Sequence, residues 1–193
     1  MFSLYNEGNN DFPHIKTIAN IFDDIGMTYI FPNQIHVNIE WIKTQVKQVL
    51  IDQFSQKWRN DISNTSRGQF YTLFKQNFCF GRYLVQLQES NRLFITKLRL
   101  CNLKIPIETG RWHNICRENR KCTKCSGNYT GDEYHYLFIC SNQEIQSLRE
   151  KYIPKYYIKH SCIEKMALML SLCNVELLKN ISIFIKGLCK LLK

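Results

Sequence analysis

The amino-acid sequence predicts a mainly α-helical fold, and three observations support this prediction. Apolar residues recur every three or four positions over long stretches, which is the period of a helix with one buried face. Alternating apolar and polar residues, the pattern of a half-buried strand, are scarce. Only 4 Pro and 8 Gly interrupt the 193 residues, so long segments are free to be helical.

Two helices are predicted in the first third of the chain. Pro13 suits the first position of a helix, and Gly26 stands where the C-terminal cap of that helix belongs. A turn is expected near residues 32–33. The apolar series that follows predicts a long amphipathic helix over residues 39–62, which is the clearest helical signal in the sequence.

Further helices are predicted on both sides of a cysteine-containing segment. Pro106 and Gly110 are expected to punctuate a loop that leads into this segment, and a short hairpin is expected around its first cysteine pair. The remaining predicted helices span residues 69–77, 82–88, 91–102, 142–152, 162–173 and 175–192.

Four residues have the spacing of a zinc site, Cys-x2-Cys-x9-His-x4-Cys. A tight turn lets both cysteines of a Cys-x2-Cys pair point at one ion, and a His and a Cys about five residues apart can complete a tetrahedron. We therefore predict that one structural Zn²⁺ is bound by a CCHC set, namely Cys122, Cys125, His135 and Cys140.

The whole pattern is much more specific than the cysteine pair. A chain with 9 cysteines has about 0.4 such pairs by chance, and requiring the His and the last Cys lowers that to about 0.01–0.02. The alternative is that these cysteines are small buried hydrophobic residues. A catalytic zinc is disfavoured, because four protein ligands leave no position for water. The cysteines expected in the core are Cys79, Cys101, Cys162, Cys173 and Cys189.

The net charge of +10 is concentrated in one stretch. Residues 91–125 carry nine basic and two acidic side chains, whereas residues 1–90 carry eight of each. This block favours a polyanionic partner, with nucleic acid ahead of membrane, although a solvated basic face has the same composition. Trp112 either stacks on a base or packs its loop onto the helices. The predicted contacts to RNA or single-stranded DNA are Lys97, Arg99, Lys104, Arg111, Trp112, Arg117, Arg120, Lys121 and Lys124.

Two motifs are distinctive in combination, Glu-Thr-Gly-Arg at residues 108–111 and the zinc pattern that ends at Cys140. With the segments around them, they resemble the C-terminal region of LINE-type (non-LTR) retrotransposon reverse transcriptase polyproteins from animals, which ends in a zinc-binding segment. The resemblance covers at least residues 66–152. It is carried by residues 70–75, 83–84, 94–99, 107–111, 122–125 and 132–140.

The resemblance implies a region that follows the polymerase and helps to engage template nucleic acid. The polymerase itself needs an aromatic-x-Asp-Asp turn, whose carboxylates hold two metal ions. Phe22-Asp23-Asp24 lacks the spacer residue, so both aspartates are expected to be solvated helix residues. Neither a Pro-Asp pair nor an acidic-x-Lys triplet, the marks of a nuclease in some related elements, follows Cys140. The chain is therefore not expected to be an enzyme.

The expected function is that of a non-catalytic, zinc-stabilised, nucleic-acid-binding fragment. Two alternatives stay open: a domesticated protein–protein interaction module with a structural zinc, and a non-functional retroelement relic. The predicted domains are a helical domain at 1–110, a CCHC zinc module at 111–141, and C-terminal helices at 142–193 that pack on the helical domain.

The expected location is intracellular, in the cytoplasm or nucleus, and not secreted. The N-terminus has no signal-peptide pattern, and no stretch reaches the about 18 apolar residues of a membrane span. An odd number of cysteines favours reduced thiols and metal binding over disulfides.

Overall fold

A computed structural model describes residues 13–30, 38–65, 70–172 and 174–192 of the chain. Of these residues 69% are helical and none belongs to a β-strand, which confirms the mainly α fold. The turn predicted near residues 32–33, the first residue of the helix predicted from 69, and Cys173 lie outside the described residues.

The chain divides into two compact units, residues 1–58 and residues 59–193. The boundaries predicted at 110/111 and 141/142 both lie inside the second unit. The first unit contains helix α1 (Pro13–Asp24), a 3-10 turn (Thr28–Ile30) and most of helix α2 (Ile39–Ser63).

Helix α1 begins and ends where the sequence predicts. Pro13 is its first residue, and Gly26 follows its end with a φ of +72°, the left-handed conformation that favours glycine at a helix C-terminus. Residues on both sides of the cap form a small apolar cluster with α2. Its members are the buried Ile25 and Met27 and the half-buried Phe22, Val46 and Val49.

Helix α2 has the predicted length, but the predicted amphipathic face is wrong, because none of its 25 residues is buried. Its apolar positions are spread over more than half of the helix circumference at 3.6 residues per turn. A single small cluster can cover only the side with Val46 and Val49. The large apolar side chains left exposed are Ile39, Trp41, Leu50, Ile51 and Phe54.

The second unit is a helical assembly organised around its longest helix. The eight helices in the described part of this unit that follow α2 are α3 (Tyr71–Phe74), α4 (Tyr83–Gln86), α5 (Glu89–Arg99), α6 (Pro106–Trp112), α7 (Gln143–Tyr152), α8 (Lys155–Ile158), α9 (Ile163–Ser171) and α10 (Val175–Leu191). Helix α10 packs against both α5 and α7. Its apolar residues without exposed surface are Leu178, Ile181, Phe184 and Ile185.

Helix α10 is apolar because it lies in this core. No single helix in the described segments is long and apolar enough to cross a membrane. The helices α9 and α10 have that length and composition only as a pair bent by 116°.

Residues 106–112 form helix α6, so the loop predicted there is wrong. Pro106 occupies the first position of the helix, where its missing N–H leaves no hydrogen bond unmade. Gly110 lies inside the helix, where a Cβ atom would come 2.6 Å from Cγ of Arg120. Close packing, and not a break in the helix, accounts for this glycine.

The cysteines predicted in the core have different environments. Cys101 is buried, Cys162 and Cys189 are half-buried, and Cys79 is exposed. Cys79 lies in irregular chain between α3 and α4, with its Sγ 3.1 Å from Nζ of Lys75. The helical apolar pattern was extended too far at this position, because α3 already ends at residue 74.

Candidate metal centre

The four predicted ligands form one cluster, in which the ligand atoms all lie within 4.8 Å of one another. The Sγ atoms of Cys122 and Cys140 are 3.9 Å apart, and Sγ of Cys125 is 3.4 Å from Nε2 of His135. Tetrahedral zinc, with Zn–S about 2.3 Å and Zn–N about 2.0–2.1 Å, separates two sulfurs by about 3.8 Å and sulfur from nitrogen by about 3.5 Å. The cluster therefore has the dimensions to hold a zinc ion.

A short hairpin carries the first cysteine pair. One antiparallel bridge joins Lys121 to Thr130, and the N–H of Cys122 donates to the carbonyl of Tyr129 at 2.9 Å. Asn128, with a φ of +52°, allows the loop between them to turn back. The predicted hairpin is thus present, reduced to a single bridge.

A π-helical turn (His135–Ile139) positions the other two ligands, since it begins at His135 and Cys140 follows its last residue. The Asp132 carboxylate accepts a hydrogen bond from the N–H of His135 at 2.8 Å and caps this turn. The N–H of Cys140 donates to the carbonyl of His135 at 2.8 Å. In an α-helix, residues five positions apart point about 140° away from each other. The wider turn brings His135 and Cys140 to the same ion position.

The thiol groups of the cluster favour a bound cation. Burial would raise the pKa of Cys122, but the nearby Tyr136 hydroxyl and the N–H groups of Lys124 and Cys125 stabilise the thiolate, outweigh burial and lower this pKa. Burial, together with the neighbouring Cys122, raises the pKa of Cys140 to about 12. Thiolates this close repel one another at low dielectric, and a divalent ion removes that repulsion.

Arg149 of α7 binds the backbone of the segment that contains His135 and Cys140. Its Nη2 donates to the carbonyls of Tyr136 and Cys140, at 3.1 and 3.0 Å. Burial, with a contribution from this guanidinium, lowers the pKa of His135 and keeps the imidazole in its neutral, ligating form. A zinc ion bound by three thiolates and one imidazole would have a net charge of −1, which the buried Arg149 would balance. In the sequence, Arg149 is distinguished only as the single Lys or Arg within residues 126–150.

The residues predicted to contact nucleic acid differ in exposure. Lys104, Trp112 and Lys124 are exposed. The half-buried members are Lys97, Arg111, Arg117, Arg120 and Lys121. The basic surface of this region is therefore smaller than the sequence predicts.

Arg99 is a correction to the predicted surface, because its side chain is 8% exposed. The guanidinium lies over the rings of Phe74 and Tyr83, 5.5 and 4.2 Å from their centroids, and donates to the carbonyl of Leu170. A cation held in this way stabilises the helical core and cannot reach a phosphate.

Arg111 and Arg120 are bound to neighbouring groups of the protein. Nη1 of Arg111 lies 3.2 Å from the buried carboxylate of Glu108. Arg120 donates to the carbonyls of Ile107 and Ile115, at 3.1 and 2.8 Å. Arg120 therefore joins the chain before the hairpin to α6, whereas the pair of Arg111 and Glu108 lies within α6. Both arginines contribute first to the stability of this region.

Tyr129 is an aromatic candidate that the sequence analysis missed. Its side chain is 54% exposed, and its ring centroid is 5.5 Å from that of His135. A Cβ atom on Gly127 would come 2.3 Å from the Tyr129 ring, so this glycine allows the ring to lie over the loop. The exposed phenol thus has a fixed position on the zinc module, next to the chain that carries Lys124.

Two helix caps provide a matched test of how α7 supports the cluster. Asn142 accepts from the N–H of Ile145 at 3.2 Å and donates to the carbonyl of Lys124 at 3.4 Å. Asn174 caps α10 by accepting from the N–H of Leu177 at 2.9 Å and has no such contact with the module. Replacing either by Ala should lower the free energy of unfolding by about 1 kcal/mol.

Only Asn142→Ala is expected to accelerate loss of zinc to a chromogenic chelator. Both variants are measured by urea denaturation and by the rate of chelation. Equal chelation rates in Asn142→Ala and Asn174→Ala would show that the contact with Lys124 does not hold the module.

The two motifs behind the family resemblance are in direct contact. The N–H of Ile107 donates to the carbonyl of Gly131 at 3.1 Å, and the N–H of Gly131 donates to the carbonyl of Arg120 at 2.9 Å. A Cβ atom on Gly131 would come 2.8 Å from the Pro106 ring. Helix α6 and the zinc loop therefore form one structural unit. Compared with known proteins, the chain matches no family model, no curated protein and no solved structure.

Proposed function

We propose that the chain binds RNA or single-stranded DNA as a non-catalytic protein that one structural zinc ion stabilises, similar to the tail of a LINE-type reverse transcriptase polyprotein. The observation that carries the proposal is the Cys3His cluster, which belongs to a unit whose basic and aromatic side chains between residues 104 and 129 reach the surface. These side chains are Lys104, Trp112, Lys121, Lys124 and Tyr129.

A structural role for the metal agrees with the donor set. Four protein ligands complete a tetrahedron and leave no position for a reacting water. Asp23 and Asp24, the only side chains that the sequence offers near a polymerase motif, are both exposed at the end of α1. Primer-extension and nuclease assays are accordingly expected to give background rates.

The metal supports nucleic-acid binding by fixing the basic residues of the loop. Lys121 precedes a ligand and Lys124 lies between two ligands, so both have a defined position once the ion is bound. Fixed side chains lose less conformational entropy on binding than those of a flexible tail. Four or five phosphate contacts to a single strand correspond to a log–log salt slope of about −3 to −3.5.

A second candidate function is favoured by α2. Its exposed Ile39, Trp41, Leu50, Ile51 and Phe54 are more apolar than a solvent-facing helix needs. A protein partner that covers this helix would make the chain an interaction module. The two functions use different units and can be tested separately.

The test measures the fluorescence anisotropy of a labelled 18-nucleotide oligo(U) at several salt concentrations. Lys121→Gln with Lys124→Gln should make the salt slope less negative by about 1.4, because two phosphate contacts are lost. The matched control is Lys47→Gln with Lys57→Gln, two exposed lysines of α2, which removes the same charge from the first unit. Zinc content is measured in both variants.

The result expected is a reduced slope in the first variant and an unchanged slope in the control. Equal binding by both variants at low salt would overturn the proposal and favour the protein-partner function.

Trp112→Ala and Tyr129→Ala distinguish stacking from packing. A residue that stacks on a base loses about 1–3 kcal/mol of binding free energy when it is removed.

A further inference from the structure

A second basic surface is formed by residues that follow the zinc cluster in the sequence. Residues 151–160, Lys-Tyr-Ile-Pro-Lys-Tyr-Tyr-Ile-Lys-His, contain three lysines and three tyrosines, and no acidic residue lies between Glu150 and Glu164. Basic residues interleaved with aromatic ones are the composition of surfaces that bind single-stranded nucleic acid.

The fold gives this segment a fixed position. Ile153 and Tyr157 are 2% and 7% exposed and anchor α8 in the core of the second unit. Nζ of Lys165 donates to the carbonyls of Tyr156 and Lys159, at 3.0 and 2.5 Å, which holds the end of this short helix. The segment is therefore part of the folded surface.

The residues between the anchors face solvent. Tyr156 is 62% exposed, whereas its neighbour Tyr157 is buried. Nζ of Lys165 lies 4.9 Å from the centroid of the Tyr156 ring, and the ring of Tyr157 meets it edge to face at 5.1 Å. These contacts fix the orientation of an exposed aromatic ring. The exposed residues beside it are Lys151, Pro154, Lys155, Lys159 and His160.

We propose that this surface binds a single strand of RNA or DNA, with Tyr156 stacking on a base and Lys151, Lys155 and Lys159 contacting phosphates. A membrane surface fits less well, because peripheral membrane binding needs an apolar face that inserts. Ile153 and Tyr157 are instead turned into the protein core, and the half-buried Ile158 packs against it. The exposed Tyr156 ring can stack on a planar base, and the lysines around it can contact the adjoining phosphates.

Helix α7 connects this surface to the zinc module. At its N-terminus Asn142 contacts the carbonyl of Lys124, and at its C-terminus α7 ends at Tyr152, next to the lysine surface. A helix of 10 residues is about 15 Å long, so the two surfaces lie at opposite ends of one rigid rod. The inference rests on the proposed function in taking the same ligand, and it adds a second contact for a longer strand.

The test uses the full chain with zinc bound and labelled oligo(U) of 6, 12 and 18 nucleotides. Lys151→Gln, Lys155→Gln and Lys159→Gln together should make the salt slope for the 18-mer less negative by about 2 and reduce the gain in affinity with length. Tyr156→Ala should weaken binding by about 5- to 150-fold at constant salt slope. The control is Lys16→Gln, Lys47→Gln and Lys57→Gln, which removes the same charge from the first unit.

Mapping of crosslinks from 4-thiouridine-labelled oligo(U) gives a readout that does not depend on affinity. A crosslink in residues 151–160 is expected in the parent and should be lost in Tyr156→Ala. Loss of binding only in Lys121→Gln with Lys124→Gln would leave the proposed function intact and overturn this inference. Loss only in the lysine variants of residues 151–160 would support this inference and would remove Lys121 and Lys124 from the proposed contacts.

Vesicles test the competing ligand. Phosphatidylserine–phosphatidylcholine vesicles are expected not to sediment the protein at physiological salt. The inference would be overturned in favour of a lipid surface if the parent sediments with the vesicles, and if the triple variant of Lys151, Lys155 and Lys159 does not sediment but still binds the 18-mer like the parent.

Discussion

Cys140→Ser is expected to abolish zinc binding and to unfold the second unit. Cys140 has no exposed surface, and both Cys122 and Cys140 belong to the same hydrophobic core as α5, α7 and α10. Structural zinc in small peptides contributes about 10–16 kcal/mol, which equals or exceeds the stability of about 5–15 kcal/mol of a whole domain. A protein without the ion therefore cannot keep this core folded.

The measurements are zinc content by elemental analysis and thermal unfolding by circular dichroism. About one zinc per chain is expected in the parent, and none in Cys140→Ser. Cys79→Ser is the matched control, because Cys79 is an exposed cysteine of the same unit, and its stability should change by less than about 0.5 kcal/mol. A Cys140→Ser protein that melts like the parent, or a parent purified without chelator that contains no zinc, would disprove the site.

Arg149→Met is expected to be the next most damaging substitution. It removes both hydrogen bonds that Nη2 donates, to the carbonyls of Tyr136 and Cys140, and leaves a buried metal centre with a net charge of −1 uncompensated. Removal of one partner from a buried charge pair costs about 3–5 kcal/mol. Affinity for zinc should fall together with stability, because one of these carbonyls belongs to a ligand.

Lys151→Met is the control for Arg149→Met. It replaces an exposed cation of the same helix by the same residue, so helix propensity and the change in total charge are matched. Zinc affinity by competition with a chromogenic chelator, and the midpoint of urea unfolding, should change little in Lys151→Met. If Arg149→Met binds zinc as tightly as this control does, charge compensation is not the function of Arg149.

Local sequence patterns were sufficient to predict most helices and the four residues of the candidate metal site. The period of apolar residues located α5, α7, α9 and α10 to within a few residues, because their buried faces define it. Helix α2 shows the limit of the same signal. A helical period predicts the helix correctly, but it does not reveal whether any neighbour covers the apolar face.

The surroundings of the metal site depend on contacts that spacing cannot predict. Four ligands could be identified from the distances between them along the chain, whereas Arg149 reaches the site from another helix and Arg99 turns away from solvent into the core. In the sequence, Gly110 indicates a loop, but in the fold a glycine is needed there because the Arg120 side chain, ten residues later, packs against it. Residues that meet only after the chain has folded leave no local signal.

The position of α10 at the centre of the second unit also has a consequence for protein synthesis. Helices α5 and α7 leave the ribosome before α10 does, and their inward faces have no partner until α10 follows. Until then, the nascent chain presents apolar surface on two helices, together with thiols that have already emerged. During this interval, chaperones and the cellular supply of zinc compete with aggregation for the incomplete chain.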